Sequence, residues 1–157
     1  MKNKILIIGS KGFIGSYFFR NLKLKGFSVK GISRRELNSL ANSKIEFENY
    51  LKKFKPNLVI YNSALAHQSK YKLLTRFSYL YKINIETPKK IARHLVNYNN
   101  CRMIFISTVG VHGSHTMKGQ KINEDSPFCP ENAYSLSKLI AEIELKKIFA
   151  SNNSLLT

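Results

Sequence analysis

Tyr134 and Lys138 are the two side chains whose types and spacing best suit acid–base chemistry. They are four residues apart, and side chains four apart on a helix lie on the same face, one turn above the other. A neighbouring positive charge favours the phenolate, so we expect Lys138 to lower the pKa of Tyr134. Such a tyrosine can move a proton on and off an alcohol oxygen near neutral pH. The spacing alone is common in helices, and its meaning therefore depends on the residues that accompany it.

Three glycines near the N-terminus form a second candidate site. They stand three residues apart, after the apolar run of residues 5–8 and before a helical pattern that begins at Phe13. In such a motif the first glycine permits a tight turn, the second lets the backbone approach a pyrophosphate, and the third lets the helix pack closely on the strand. An ordinary strand–helix turn can also contain glycines, but the strand before and the helix after favour dinucleotide binding. The predicted cofactor contacts are Gly9, Gly12, Phe13, Ile14 and Gly15.

Two arginines follow the second predicted strand, where a dinucleotide fold selects its cofactor. Arg34 and Arg35 come directly after Ser33, and the first acidic residue is Glu36. An acidic side chain at this place would hydrogen-bond the adenosine 2′-hydroxyl of NAD, whereas arginines accommodate the 2′-phosphate of NADP. The two arginines could instead simply face solvent. The sequence leaves NAD and NADP open, with a slight preference for NADP.

The elements that must position these residues alternate along the chain. The pattern predicts strands at residues 5–8, 27–32, 58–61 and 102–107, and helices at 13–25, 45–54, 83–98 and 132–149. Residues 69–83 are assigned to a helix and a loop, residues 108–130 to a loop, and residues 154–157 to the beginning of a strand. Strands alternating with helices form a parallel, doubly wound sheet. We therefore expect one α/β domain of the Rossmann type over residues 1–157, with helices on both faces and truncated before its last strands.

The composition limits the classes of partner. There are 26 Lys and Arg against 9 Asp and Glu, a net charge of +17, and the basic residues are scattered rather than clustered. This favours a solvated basic surface over a dedicated nucleic-acid face, and it would attract phosphate-bearing ligands. Cys101 and Cys129 show neither metal-ligand spacing nor a disulfide framework, so we expect reduced thiols, no metal and a cytoplasmic location. No stretch is long enough to span a membrane, and no membrane partner is expected.

Together these motifs resemble the extended short-chain dehydrogenase/reductase superfamily, and within it the NAD-dependent epimerase/dehydratase family. The resemblance covers the whole chain in order, as the N-terminal part of such a protein. It is carried by the glycine turn, by the small residues that end the strand in residues 59–66, by Asn84, by Ser107-Thr108 through Gly113, and by the run from Glu124-Asp125-Ser126-Pro127 through Pro130 and Tyr134 to Lys138.

The resemblance implies hydride transfer between a sugar carbon, usually C4, and NAD or NADP, with a nucleotide sugar as substrate and a role in surface polysaccharide synthesis. It gives Tyr134 the exchange of the hydroxyl proton, and Lys138 the nicotinamide ribose and the tuning of Tyr134. Thr108 would position the sugar oxygen. Further cofactor contacts would come from Ser63, Ala64, Asn84 and Ser107.

Departures from the family pattern narrow the reaction. Val109-Gly110 stand where 4,6-dehydratases of the family carry an Asp-Glu pair, so dehydration is not expected. A 4-epimerase and a 4-keto-sugar reductase both remain. The family's C-terminal substrate domain is not found in this chain. Three interpretations are open: a fragment of a split or frameshifted gene, a half that a second chain or a homo-oligomer completes, or a truncated piece of a longer protein. Two other interpretations stay open: a catalytically inactive dinucleotide-binding module, and a basic RNA-binding protein.

Overall fold

A parallel four-stranded sheet forms the centre of the protein. The computed structural model describes residues 3–66, 78–98, 101–113 and 121–150. The strands are β1 (Lys4–Ile8), β2 (Ser28–Ile32), β3 (Leu58–Tyr61) and β4 (Arg102–Phe105). All pairings are parallel and the spatial order is β2-β1-β3-β4. The chain therefore crosses back over the sheet between β2 and β3, and the predicted Rossmann-type α/β class is confirmed.

Helices cover both faces of this sheet. They are α1 (Phe13–Leu24), α2 (Arg34–Asn42), α3 (Lys44–Phe54), α4 (Thr87–Val96) and α5 (Ala133–Ala150). Because neighbouring residues of a strand point to opposite faces, the apolar run of β1 divides between two cores. Leu6 and Ile8 pack in the core that includes residues of α3, α4 and α5, whereas Ile5 and Ile7 pack with residues of α1. A continuous apolar strand is what two covered faces require.

Helix α2 is not predicted by the sequence pattern, which ends a strand at Ile32 and indicates no helix between residues 32 and 45. A reciprocal pair of hydrogen bonds begins this helix. The Ser33 N–H donates to the Glu36 carboxylate at 2.7 Å, and the Glu36 N–H donates to the Ser33 hydroxyl at 3.3 Å. This arrangement is a capping box, with the sequence pattern Ser-x-x-Glu. The two arginines are therefore fixed in the first helical turn.

Loss of this cap should destabilise the fold measurably. We expect Ser33→Ala to lower the free energy of unfolding by about 1 kcal/mol, the usual effect of removing an N-cap hydroxyl. Urea denaturation measures the change. Ser39→Ala, an exposed substitution within the same helix, is the matched control and should be neutral or slightly stabilising, because alanine is the better helix former. An equal decrease in the free energy of unfolding in both variants would contradict the role of the cap.

A π-helical segment, Tyr81–Glu86, leads directly into α4. The predicted helix of residues 83–98 is thus present, but its first turn is wider than an α-helix, and the Thr87 hydroxyl donates to the Lys82 carbonyl at 2.8 Å. Such single π turns recur at functional sites. Most of the predicted helix and loop at 69–83, and the strand expected at 154–157, lie outside the described residues.

Two further sequence features can be located. Cys101 is buried and Cys129 is exposed, and both are free thiols. Within the described ranges, no three metal-ligating side chains lie close enough to hold a metal ion. No helix in the described part of the chain has the length and apolar character needed to cross a membrane.

Candidate functional site

The glycine turn packs so closely that its first and third glycines have no room for a side chain. A Cβ at Gly15 would lie 2.2 Å from the Gly9 carbonyl oxygen. Gly9 itself has φ +89°, and a Cβ there would lie 2.8 Å from the Ser63 nitrogen. Gly15 thus lets α1 rest on the turn, and Gly9 lets the turn rest on the end of β3. The structure therefore brings the glycine motif and the small residues after β3 into direct contact.

A cavity of about 280 Å³ lies beside this turn. Its lining residues are Gly9, Lys11, Gly12, Arg34, Asn62 and Ser63. Two of them, Lys11 and Arg34, are cationic, and the N-terminus of α1 adds the positive end of a helix dipole. The Ser63 hydroxyl is buried and has no hydrogen-bond partner among the described residues. Positive charge, close backbone and an unpaired hydroxyl together fit the phosphates of a dinucleotide.

Phe13 and Ile14 occupy the first turn of α1, with Gly12 as the N-cap. Their backbone N–H groups lie where a helix leaves its donors without intrahelical partners. Their side chains are exposed, 96% for Phe13 and 44% for Ile14. Any contribution of these two residues to phosphate binding would thus come from their backbone, as the motif predicts.

The two predicted cofactor-selecting arginines differ in position. The Arg34 guanidinium lines the cavity and donates a hydrogen bond to the Ala64 carbonyl, so it bridges α2 and the segment after β3. Arg35 is exposed and is not among the cavity's lining residues. The Glu36 carboxylate caps α2, and the hydrogen bonds from Ser33 hold its pKa below the ordinary value. The carboxylate that follows the two arginines is therefore already engaged.

Asn84 joins three elements from the buried π-helical segment. Its Oδ1 accepts from the Leu65 N–H at 2.8 Å, and its Nδ2 donates to the Leu65 carbonyl at 3.2 Å and to the Ser137 hydroxyl at 2.9 Å. Ser137 in turn donates to the Tyr134 carbonyl at 2.7 Å. Asn84 thus holds the segment after β3 against the helix that carries Tyr134 and Lys138. Its direct contact with a cofactor stays a prediction.

The expected effect of Lys138 on Tyr134 is not present. Lys138 is buried, and its Nζ donates to the Ile106 carbonyl at 2.6 Å and lies 3.8 Å from the centre of the Phe105 ring. Burial raises the pKa of Tyr134 rather than lowering it, and burial lowers the pKa of Lys138 to about 7. The predicted lowering of the Tyr134 pKa is therefore wrong for this arrangement, because the ammonium points to the end of β4 and is itself easily deprotonated.

Gly110 brings Thr108 to the start of α5. The Thr108 hydroxyl oxygen caps the 3₁₀ turn Val109–His112 by accepting from the Gly110 N–H at 3.2 Å. A Cβ at Gly110 would lie 2.6 Å from the Ser135 hydroxyl oxygen and 3.5 Å from that of Thr108. A residue without a side chain therefore lets the turn approach the helix next to Tyr134. Among the described residues, no acceptor takes the Thr108 hydroxyl proton, and its contact with a substrate oxygen stays a prediction.

A second cavity, of about 480 Å³, opens at the end of β4. Its lining residues are Ser107, Thr108, Val109, Val111, His112, Ile122, Asn123, Glu124, Phe128, Glu142 and Lys146. One wall is the loop after residue 120, which docks through the Cys129 N–H on the Val111 carbonyl at 2.9 Å and through the Phe128 ring on His112. Ser107 donates its hydroxyl proton to the Glu142 carboxylate. The predicted cofactor contact of Ser107 stays a prediction.

Four residues of these sites were missed by the sequence analysis. Lys11 and Asn62 line the cavity at the glycine turn. Ser137 links Asn84 to the Tyr134 carbonyl, and Glu142 accepts a hydrogen bond from the Ser107 hydroxyl. Two signals were available in the sequence. Lys11 stands inside the glycine motif, and Glu142 follows Lys138 by four residues and so continues the helix face of Tyr134. The contacts of Asn62 and Ser137 depend on tertiary packing.

Comparison of the sequence with known proteins gives one family. The model of the NAD dependent epimerase/dehydratase family matches residues 5–156. A UDP-glucose 4-epimerase of Vibrio cholerae is 29% identical over 155 residues, which cover 92% of this chain and 47% of that protein. This chain therefore spans about half the length of the curated relative.

Solved structures show the same fold and similar partial coverage. A dTDP-4-dehydrorhamnose reductase from Clostridium acetobutylicum has a TM-score of 0.75 and 28% identity, with 92% of this chain and 49% of that chain covered. The UDP-glucose 4-epimerase of Thermus thermophilus, solved with NAD, has a TM-score of 0.81 and 22% identity, with 98% and 53% covered. At that identity the second likeness supports the fold alone.

Proposed function

This chain belongs to the NAD dependent epimerase/dehydratase family, and on that premise we propose that it supplies the cofactor-binding and proton-transferring residues for oxidation or reduction at C4 of a nucleotide sugar. Two relatives support this substrate class, since their names place the reaction at position 4 of a UDP- or dTDP-linked sugar. The epimerase and the reductase share that step, and the proposal is limited to it.

One observation carries the proposal. The cavity at the glycine turn and Thr108 both lie at the carboxyl ends of the parallel strands, and Asn84 links the segment after β3 to the helix of Tyr134 through Leu65 and Ser137. Ligands of open parallel α/β sheets bind at this edge. This arrangement supports the proposal that one bound assembly would contact both the glycine turn and Tyr134.

Different residues of the chain would bind the cofactor, position the sugar oxygen and transfer its proton. The α1 N-terminus would hold the cofactor pyrophosphate, Arg34 and Lys11 would hold the phosphate on the adenosine ribose, and a bound nicotinamide ring would supply the hydride acceptor or donor. Thr108 would donate a hydrogen bond from its hydroxyl to the sugar oxygen and so fix the position of that oxygen. Tyr134 would take up or give back the proton of that oxygen. Because burial raises the pKa of Tyr134, proton uptake by this group requires the ammonium of Lys138 to be charged and close.

The proposed cofactor is NADP rather than NAD. Arg34 and Lys11 both line the cavity, whereas the carboxylate of Glu36, two residues after Arg34, caps α2 through Ser33. A phosphate on the adenosine ribose would meet two cations, whereas a 2′-hydroxyl would meet no carboxylate among the described residues that line the cavity.

Thermal melting of the purified chain with NAD, NADH, NADP or NADPH tests the proposal. A ligand that binds only the folded state raises the melting temperature, by an amount that grows with its concentration. We expect a concentration-dependent rise with the phosphorylated forms and a smaller one with NAD and NADH. A rise with NAD and NADH alone would contradict the NADP preference. No rise with any of the four would contradict cofactor binding itself.

Turnover is tested separately with UDP- and dTDP-sugars and the cofactor that binds. Net formation or consumption of reduced cofactor would support a reductase, and interconversion of C4 epimers without a net change in reduced cofactor would support an epimerase. A chain that binds the cofactor but turns over none of these sugars would be a dinucleotide-binding module, and the raised pKa of Tyr134 together with the inward position of Lys138 is the observation that favours this second candidate.

A further inference from the structure

Glu142 is a charged residue that the proposed function does not use, yet it touches the end of β4 and lies next to Lys138. Its carboxylate accepts the hydroxyl proton of Ser107, the residue directly before Thr108. On α5 it follows Lys138 by four residues, and both side chains therefore lie on one face of the helix. Glu142 also lines the cavity at the end of β4 together with Thr108.

Lys138 and Glu142 hold the end of β4 at adjacent points. Lys138 donates to the Ile106 carbonyl at 2.6 Å, and Ser107, the next residue, donates to Glu142. Two successive residues of the strand end are therefore bound by two side chains one turn apart on α5. The position of Thr108, which follows at once, is set by this double attachment.

We propose that Glu142 is a positioning residue of the site: it fixes Ser107 and places a negative charge one helical turn from the buried Lys138 ammonium. The inference deepens the proposed function, because only the charged form of Lys138 can favour the phenolate of Tyr134.

The surroundings of Lys138 explain why this charge matters. The lysine side chain is 1% exposed, and burial disfavours its charged form. Its contacts among the described residues are the Phe105 ring of β4 and the carbonyl of Ile106, the residue after β4, and both are uncharged. The neighbouring Ser137 is bound to Asn84, which is also neutral. On its own helix Tyr134 is uncharged at neutral pH, since burial raises its pKa.

Among the described residues, Glu142 is the carboxylate whose charge opposes the effect of burial on Lys138 and raises its pKa. With that pKa at about 7, a modest change in local charge decides whether the ammonium or the amine is present. Removal of the Glu142 charge should therefore leave Lys138 largely neutral at pH 7.

The test is an NMR titration of the chain without cofactor, with lysine labelled with ¹³C at Cε. Lys138→Arg identifies the resonance by its loss. We expect Glu142→Gln, which keeps an oxygen for Ser107, to move the titration midpoint of Lys138 down by about one pH unit. Glu142→Asp keeps the charge, so its Lys138 midpoint should stay close to that of the unmodified chain.

Glu144→Gln is the matched control. It also removes one carboxylate from α5, but Glu144 forms ion pairs with Lys89 and Lys147, so it should leave the Lys138 midpoint unchanged. An unchanged midpoint in Glu142→Gln, or an equal shift in Glu144→Gln, would overturn the proposal. Since no cofactor is present, failure of cofactor binding in the melting experiment would leave this result standing.

Discussion

The Gly15→Ala variant is expected to lose about 1–3 kcal/mol of its free energy of unfolding, the range typical of overpacked interiors. The added Cβ would lie 2.2 Å from the Gly9 oxygen, 2.9 Å from the Gly9 carbonyl carbon and 3.1 Å from the Ser10 Cα. All three atoms belong to the backbone and cannot rotate away, so α1 must move off the turn. Urea denaturation measures the loss, and the melting temperature should fall by about 2–4 °C for each kcal/mol.

Gly12→Ala is the control within the same motif. A Cβ there has one neighbour within 4 Å, the Gly9 oxygen at 3.3 Å, and the backbone of Gly12 has φ −74°, which alanine adopts readily. Its loss of stability should stay below about 1 kcal/mol, as for other changes at an N-cap. If Gly15→Ala were as stable as Gly12→Ala, the close approach of α1 to the glycine turn would be wrong.

The sequence predicted β1 and β3 well because these two strands are buried on both faces. The strand over 58–61 has the predicted bounds, and the first differs only by the added Lys4. Such strands read as continuous apolar runs that glycine, proline or polar residues end. The long α5 is predicted for 132–149 and observed as Ala133–Ala150. Its signal is a different one, namely apolar residues at helical spacing.

Helix α2 was missed because its apolar pattern is weak, although its Leu37 is buried in the core. The sequence of its nine residues, RRELNSLAN, contains few apolar positions, and the signal was the Ser33–Glu36 capping box. That signal depends on two residues only, so it is easily passed over between stronger patterns. Its consequence is functional, since the cap orients Arg34 and engages the carboxylate of Glu36.

The direction of Lys138 could not be predicted from the sequence. Spacing of four residues places Lys138 on the face of Tyr134, but a lysine side chain has several rotatable bonds and goes where its ammonium finds partners. Those partners, the Ile106 carbonyl and the Phe105 ring, belong to a strand distant in sequence. The helix face was therefore predictable, whereas the electrostatic coupling to Tyr134 required the tertiary structure.

The Arg34→Ala variant is expected to bind NADP or NADPH about 10–100-fold more weakly, the effect of losing one charge-assisted contact worth about 1.5–3 kcal/mol. Affinity for NAD and NADH should change much less, because these lack the 2′-phosphate. The physical basis is the position of Arg34 in the cavity at the glycine turn, beside Lys11. Calorimetric titration of each variant with the four cofactors at one fixed salt concentration measures both affinities.

The Arg35→Ala variant distinguishes a direct contact between Arg34 and the cofactor from attraction by the positive charge of the whole protein. It removes the same charge from the same helical turn, but Arg35 is exposed and does not line the cavity. Its effect should therefore be several-fold smaller than that of Arg34→Ala and should vanish at higher salt, since exposed charges are screened. Equal weakening by both variants would assign cofactor preference to the net charge of +17 rather than to Arg34. If Arg34→Ala weakened the binding of NAD and NADP equally, Arg34 would not contact the 2′-phosphate. Its role would instead be to hold the segment at Ala64 through the hydrogen bond that joins them.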